Sequence, residues 1–267
     1  MYKKTNTNVT SISSWTQVCY GLKMTTKMLV TFVFVFLYMA CAYCLDEEAI
    51  NANDIVRYPD CGAVRKQGGY TKTGVYQLWM NSTAFKIICI HEENNSFNVI
   101  QRRMNGEETF LRGWHDYQYG FGHTQGDYWA GLNQIYYLTS TGNNIMTVNL
   151  QDWAGNNRNA RYYFKLSDAS TNFILSISQY SGDAGDSMLH NNGMPFSTFD
   201  NPDRNQCAQH YQGGWWFNYC TYAFLNGKYY IGGPYTPSGP YYDGIYWYTW
   251  GGYGYSMKFA QMMLSNS

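Results

Sequence analysis

From Asp183 to Tyr255 the chain is rich in Gly, Asn, Pro and Tyr and offers few runs with the period of a strand or a helix. A stretch of that length cannot satisfy its backbone through a regular ladder. Disulfides, aromatic packing or a metal must hold it, and it is where a site built from loops is expected. Aromatic packing is available, since Tyr (27), Phe (14) and Trp (9) together make up 19% of the 267 residues. Charged residues make up only 13%, about half the usual share of roughly 25%. That balance excludes wholesale disorder and a coiled coil.

Upstream of this region, short β-type runs alternate with turn residues. They are 75–79, 85–89, 97–100, 145–150, 161–166 and 173–179. The best helical signal is short, 131–138. The fold class expected is α+β, built on antiparallel sheet with short helices and a loop-rich C-terminal part.

Residues 28–45 form an apolar run without a charge, preceded by Lys23 and Lys27 and followed by Asp46, Glu47 and Glu48. Two readings fit. A signal peptide would be cleaved near Ala40-Cys41-Ala42, with Met24 and Met28 as alternative starts. A signal anchor would use the run as a short membrane span. Either leaves everything after Leu45 outside the cell. Secretion is the expectation, and a single-pass type II membrane protein the alternative. The organisation that follows is a leader (1–45), a short polar linker (46–59) and one domain (60–267). No stalk-forming repeat precedes the domain, so a monomer or weak oligomer is expected.

Cys19, Cys41 and Cys44 belong to the leader, which leaves Cys61, Cys89, Cys207 and Cys220. Four cysteines allow three pairings, of which the short-range one is Cys61–Cys89 with Cys207–Cys220. In the loop-entropy account, closing such loops contributes about 3–4 kcal/mol each. Two sequons, beginning at Asn81 and Asn94, are candidate glycosylation sites on an outer surface.

The formal charge is zero, yet residues 1–44 hold four lysines and no acid, leaving 14 positive against 18 negative charges beyond them. No run of Lys or Arg exceeds a pair, which argues against nucleic acid as a partner. Enzymatic motifs are also missing. The histidines lack zinc-site spacing, and there is no nucleophile elbow or phosphate-cradling loop. Asp183 and Asp186 form a carboxylate pair of the kind a hydrolase uses, but their glycine-rich setting predicts acceptors that fix a turn. No enzyme is expected.

A set of collinear motifs carries a resemblance. They are Asp60-Cys61, Gly74-Val75-Tyr76, Val99-Ile100-Gln101-Arg102-Arg103, Gly120-Phe121-Gly122 and Gly126-Asp127-Tyr128-Trp129. Further on come Gly182-Asp183-Ala184-Gly185-Asp186-Ser187, Phe196-Ser197-Thr198, Cys207-Ala208, Gly214-Trp215-Trp216 and Leu225-Asn226-Gly227, closed by Gly244-Ile245-Tyr246-Trp247 and Tyr255-Ser256-Met257-Lys258. In this order they resemble the fibrinogen C-terminal (fibrinogen-related) domain of ficolins, tachylectins, tenascins and angiopoietins, from residue 60 to about Met263. The resemblance implies that fold and the short-range cysteine pairing.

It also implies a binding module. In the lectin-like members a calcium ion organises one loop, and an adjoining aromatic-walled pocket receives an acetyl group. Matched by motif, the pocket residues are Tyr211, Tyr219, Cys220, Thr221, Tyr241 and Tyr253, with a cis peptide bond between Tyr219 and Cys220. Thr221 stands where the lectin-like members usually place His, which removes an imidazole. The calcium loop is shortened here. Phe199 and Asn201 occupy the positions of the lectin carboxylates, so Asp200 and Asp203 are the remaining candidate ligands, beside Arg204 and Pro202. A metal-free turn is the expectation, and Ca2+ the candidate cofactor. The function expected is extracellular recognition, with glycans or acetylated groups as ligands in innate immunity or self/non-self recognition. The alternative is an adhesion or signalling ligand for cell-surface or extracellular proteins.

Overall fold

The structure is a computed structural model that describes residues 56–266. The leader and the first ten residues of the linker lie outside the described residues. Arg57–Ser267 forms one compact unit.

The unit is organised by a nine-stranded sheet whose pairings are all antiparallel. Seven strands run in the order β1 (Gly74–Met80), β2 (Thr83–His91), β3 (Ser96–Arg103), β11 (Phe259–Ser265), β6 (Ile145–Gln151), β7 (Asn157–Leu166) and β8 (Leu175–Gly182). Two short strands, β4 (Phe121–Gly122) and β5 (Tyr128–Trp129), pair with each other, and β5 also pairs with β3. The alternation read from the sequence survives in β6, where every second residue is buried. It vanishes in β3 and β11, which are buried almost throughout because both sheet faces are covered there.

One strand escaped the sequence reading, and one expectation is corrected. The last strand of the chain, β11, carried no strand signal, yet it occupies the middle of the sheet between β3 and β6. The run read as 173–179 begins at Leu175, because Asn172 and Phe173 both have positive φ (55° and 50°) and end the preceding turn. The helix read at 131–138 is Leu132–Ser140 (α3). It turns Leu132, Ile135, Leu138 and Thr139 inward and packs on β7.

Polar ties lock the N-terminal helix α1 (Cys61–Lys66) to the sheet. Asp60 caps it by accepting the Ala63 N–H at 2.7 Å. The other Asp60 oxygen accepts from Asn143, which in turn accepts from Asn98, and Asn98 accepts the Cys61 N–H. The Cys61–Cys89 disulfide joins the same helix to β2 across a Cα separation of 5.4 Å. Asn81 lies exposed in the β1–β2 turn and Asn94 exposed in the β2–β3 turn.

A fully buried aromatic cluster connects sheet to loops. Trp129 on β5, Phe196, Trp215 and Trp216 are all at or near zero exposure. Phe196 meets Trp216 edge-on at 5.0 Å, and the Trp216 indole N–H donates to Phe173 O at 2.9 Å. Burying side chains of this size contributes roughly 1.5–3 kcal/mol each. The irregular C-terminal third thus rests on aromatic packing. It also contains the helices α4 (Cys207–Tyr211) and α5 (Tyr248–Gly251) and a two-stranded ribbon of β9 (Ala223–Phe224) and β10 (Tyr246–Trp247). Trp114–Tyr119 is the remaining α-helix of the described residues, α2.

Candidate functional site

Helix α4 ends at Tyr211, whose ring packs on Phe217 and Phe224 at 5.8 Å each and faces Tyr241 at 5.9 Å. The Cys207–Cys220 disulfide, with Cα atoms 5.5 Å apart, ties the start of that helix to the 218–222 segment. That segment contains a cis peptide bond between Tyr219 and Cys220. Tyr253 follows α5 and approaches Tyr222, Tyr246 and Tyr248, with ring centres 6.4, 5.3 and 4.6 Å away.

These elements enclose a pocket of about 420 Å³ lined by His190, Asn205, His210, Tyr211, Tyr219, Cys220, Thr221, Tyr222, Tyr241 and Tyr253. The structure therefore brings all six residues named from the sequence motifs to one cavity. Tyr219 is the most open of them at 82% exposure, while Thr221 is buried. The Thr221 hydroxyl is engaged inside the fold, 2.6 Å from Ala223 O and 3.1 Å from Asn191 Oδ1. That hydroxyl is therefore not a free donor to the pocket.

Sequence reading missed four lining residues: His190, Asn205, His210 and Tyr222. His190 stacks on Tyr222 at 4.4 Å, and its Nε2 lies 2.6 Å from Asn218 O. A carbonyl only accepts, so Nε2 carries the proton there. His210 lies 4.6 Å from the Tyr241 ring. Only adjacency to Thr221 could have pointed to Tyr222. His190 comes from a separate loop, and no spacing rule connects it to the 219–222 segment.

Burial, and then the neighbouring phenols Tyr222, Tyr248 and Tyr211, push the Tyr253 hydroxyl up to about 12. Burial raises Tyr211 as well, with Tyr241 adding to the shift. Both phenols stay protonated at neutral pH, able to donate as well as accept. None of the ten lining residues is Asp, Glu, Lys or Arg.

The calcium candidates are committed elsewhere. Asp203 accepts the Asn205 N–H on one oxygen at 2.9 Å and the Ala208 N–H on the other at 3.1 Å. Asp200 Oδ1 accepts the Trp114 N–H at 2.8 Å and the Thr198 hydroxyl at 2.6 Å. Among the described residues no group of three His, Cys, Asp or Glu converges in a way that could hold a metal ion. Calcium needs six to eight oxygens, and these residues do not fit it. Asp183 and Asp186 accept from Asn159 N–H and from Tyr162 hydroxyl and Leu189 N–H, which fixes their turn as the glycine-rich setting predicts.

Comparison with known proteins identifies the scaffold around this pocket. The family model described as "Fibrinogen beta and gamma chains, C-terminal globular domain" matches residues 57–267. Human angiopoietin-related protein 6 is 38% identical over 222 residues, covering 81% of this chain but 46% of that protein. The chain thus spans about half the length of that relative. Among solved structures, the fibrinogen-like globe domain of human ANGPTL2 aligns with a TM-score of 0.74 at 36% identity, covering 78% of this chain and 99% of that one. Lamprey fibrin D-dimer, complexed with the peptide Gly-His-Arg-Pro-amide, aligns with a TM-score of 0.74 at 30% identity, covering 96% and 89%.

Proposed function

Because the chain belongs to the fibrinogen C-terminal domain family, we propose that it is an extracellular recognition protein, not an enzyme, whose tyrosine-walled pocket receives a neutral acetylated group such as an N-acetylated sugar. One observation carries this reading: the pocket's lining has aromatic faces and phenol hydroxyls but no carboxylate, Lys or Arg. A peptide that begins with a free ammonium group or presents a guanidinium needs a buried counter-charge, and none lines this cavity. An acetyl group needs apolar walls for its methyl and a few donors and acceptors for its amide, which tyrosines supply. Two disulfides fit an oxidising compartment, and exposed Asn81 and Asn94 are the glycosylation sites. Defence or self/non-self recognition is the setting in which such a ligand preference serves. The protein acts without calcium, as a monomer or weak oligomer.

A second reading is supported by the rim. Tyr219, Tyr222, Tyr241, Tyr242 and Tyr248 are exposed large side chains of this region, the composition of a protein-binding hot spot. In that case the chain is an adhesion or signalling ligand with a protein partner. A glycan array with the full chain separates the two. Retention on N-acetylated sugars, absent from their de-acetylated forms, supports the first. A blank array together with saturable binding to a cell-surface protein overturns it in favour of the second.

A further inference from the structure

The chemistry of the same cavity reaches beyond neutral ligands. Five of its ten lining residues are tyrosines, and Tyr211 and Tyr241 stand 5.9 Å apart with their rings tilted by 33°, whereas the Tyr222 ring is already stacked on His190 at 4.4 Å and on Tyr248 at 5.3 Å. The face of an aromatic ring is negative. An organic cation held over several such faces is attracted by each, more strongly once water is excluded. With no Lys or Arg in the lining, nothing of fixed positive charge opposes such a cation.

The absence of a carboxylate selects which cation. A primary ammonium or a guanidinium keeps strong N–H donors that need acceptors or a counter-ion when buried. A trimethylammonium group has no N–H at all, spreads its charge over methyl groups, and needs only aromatic surface. The raised Tyr253 hydroxyl agrees in part. Burial, its first cause, opposes charge of either sign, whereas the neighbouring phenols oppose only a further negative charge.

We infer that this pocket binds quaternary trimethylammonium groups, as found in choline-type head groups or trimethylated lysine, by cation–π attraction from Tyr211, Tyr241 and Tyr253. The inference goes beyond the acetyl reading and does not depend on it.

Isothermal titration calorimetry of the full chain with choline, and with its uncharged isostere 3,3-dimethylbutan-1-ol, tests the inference. The two probes have nearly the same shape, so the difference in affinity reads the charge. Choline is expected to bind at least about fivefold more tightly. Tyr241, 39% exposed, can be changed without opening the core. Tyr241→Phe keeps the ring face and is expected to keep choline binding, whereas Tyr241→Leu weakens it about fivefold or more with an unchanged melting temperature. Tyr253→Leu serves as the second variant. Glycerophosphocholine and a trimethyl-lysine peptide, titrated separately, assign the source, and saturable binding of either supports the inference. Equal affinity for choline and the isostere, no saturable choline binding, or a Tyr241→Leu protein that binds choline like the parent overturns it. N-acetylglucosamine titrated alone reads the acetyl proposal independently.

Discussion

The Tyr235 hydroxyl donates to the carbonyl oxygen of Tyr253 at 2.9 Å and accepts the Gly244 N–H at 2.8 Å. One phenol thereby joins the 228–244 loop, which carries Tyr241, to the segment that carries Tyr253. Its ring also stacks on Tyr230 at 4.3 Å. Gly244 is required at this junction, since a Cβ there would fall 2.6 Å from the Tyr235 ring. Two of the pocket's walls are therefore held in register by a residue that does not line it.

Tyr235→Phe keeps the stack and removes both hydrogen bonds. It is expected to lower stability by about 1–3 kcal/mol, since Gly244 N–H and Tyr253 C=O lose their partner. Ligand affinity should fall with it, although no lining side chain has changed. Urea denaturation and ligand titration of the same variant check both effects. Unchanged affinity would show that Tyr253 is held by other contacts.

Asp203 ties down the turn entering α4 through two backbone N–H groups. Asp203→Ala should cost about 1–2 kcal/mol equally in calcium and in EDTA. The parent protein should melt at the same temperature in both, since an ion that does not bind the folded state cannot stabilise it. A calcium-dependent rise in melting temperature that Asp203→Ala abolishes would overturn this account of the loop.

Away from the pocket, Arg103 and Asp127 form a fully buried ion pair at 3.3 Å. Asp127 also accepts the N–H groups of Met104, Asn105 and Gly106. Asp127→Ala strands a buried guanidinium and three donors, so a loss of about 3–5 kcal/mol is expected. Chemical denaturation measures it. A loss under 1 kcal/mol, roughly what an exposed pair contributes, would contradict the assignment of this pair as a structural centre.

Strands β1, β2, β3, β6 and β7 were legible as short runs of β-branched and aromatic residues bounded by turn residues, and helix α3 by its helical period. Strand β11 was not. Its Phe259-Ala260-Gln261-Met262-Met263-Leu264 run is covered on both faces, so it shows no alternation, and Met and Gln are not strand formers. The six motif-derived pocket residues were readable only through the family resemblance, as nothing in the spacing of 27 tyrosines marks the four among them as neighbours. His190 escaped because its loop, distant in sequence, reaches the pocket only after folding, and His210 because only its adjacency to Tyr211 on α4 marks it.

The Tyr253 phenol offers a pH test. Its folded value, about 12, lies above the ordinary 10.0 of an unfolded tyrosine. The folded state holds that proton more tightly, so the group's contribution to stability is fully present below about pH 10. It is lost as pH rises from there through about 12. In a spectrophotometric titration, the difference between parent and Tyr253→Phe should show one phenol ionising late. A difference curve centred at 10 would place Tyr253 in open solvent.

The most direct test of the central claim is a crystal structure of the full chain with N-acetylglucosamine. The account predicts the acetyl methyl against the rings of Tyr211, Tyr241 and Tyr253, with its amide hydrogen-bonded to the surrounding pocket and no metal ion at Asp200 or Asp203. A sugar bound elsewhere on the domain, or an empty tyrosine pocket at a concentration that saturates binding in solution, would contradict it.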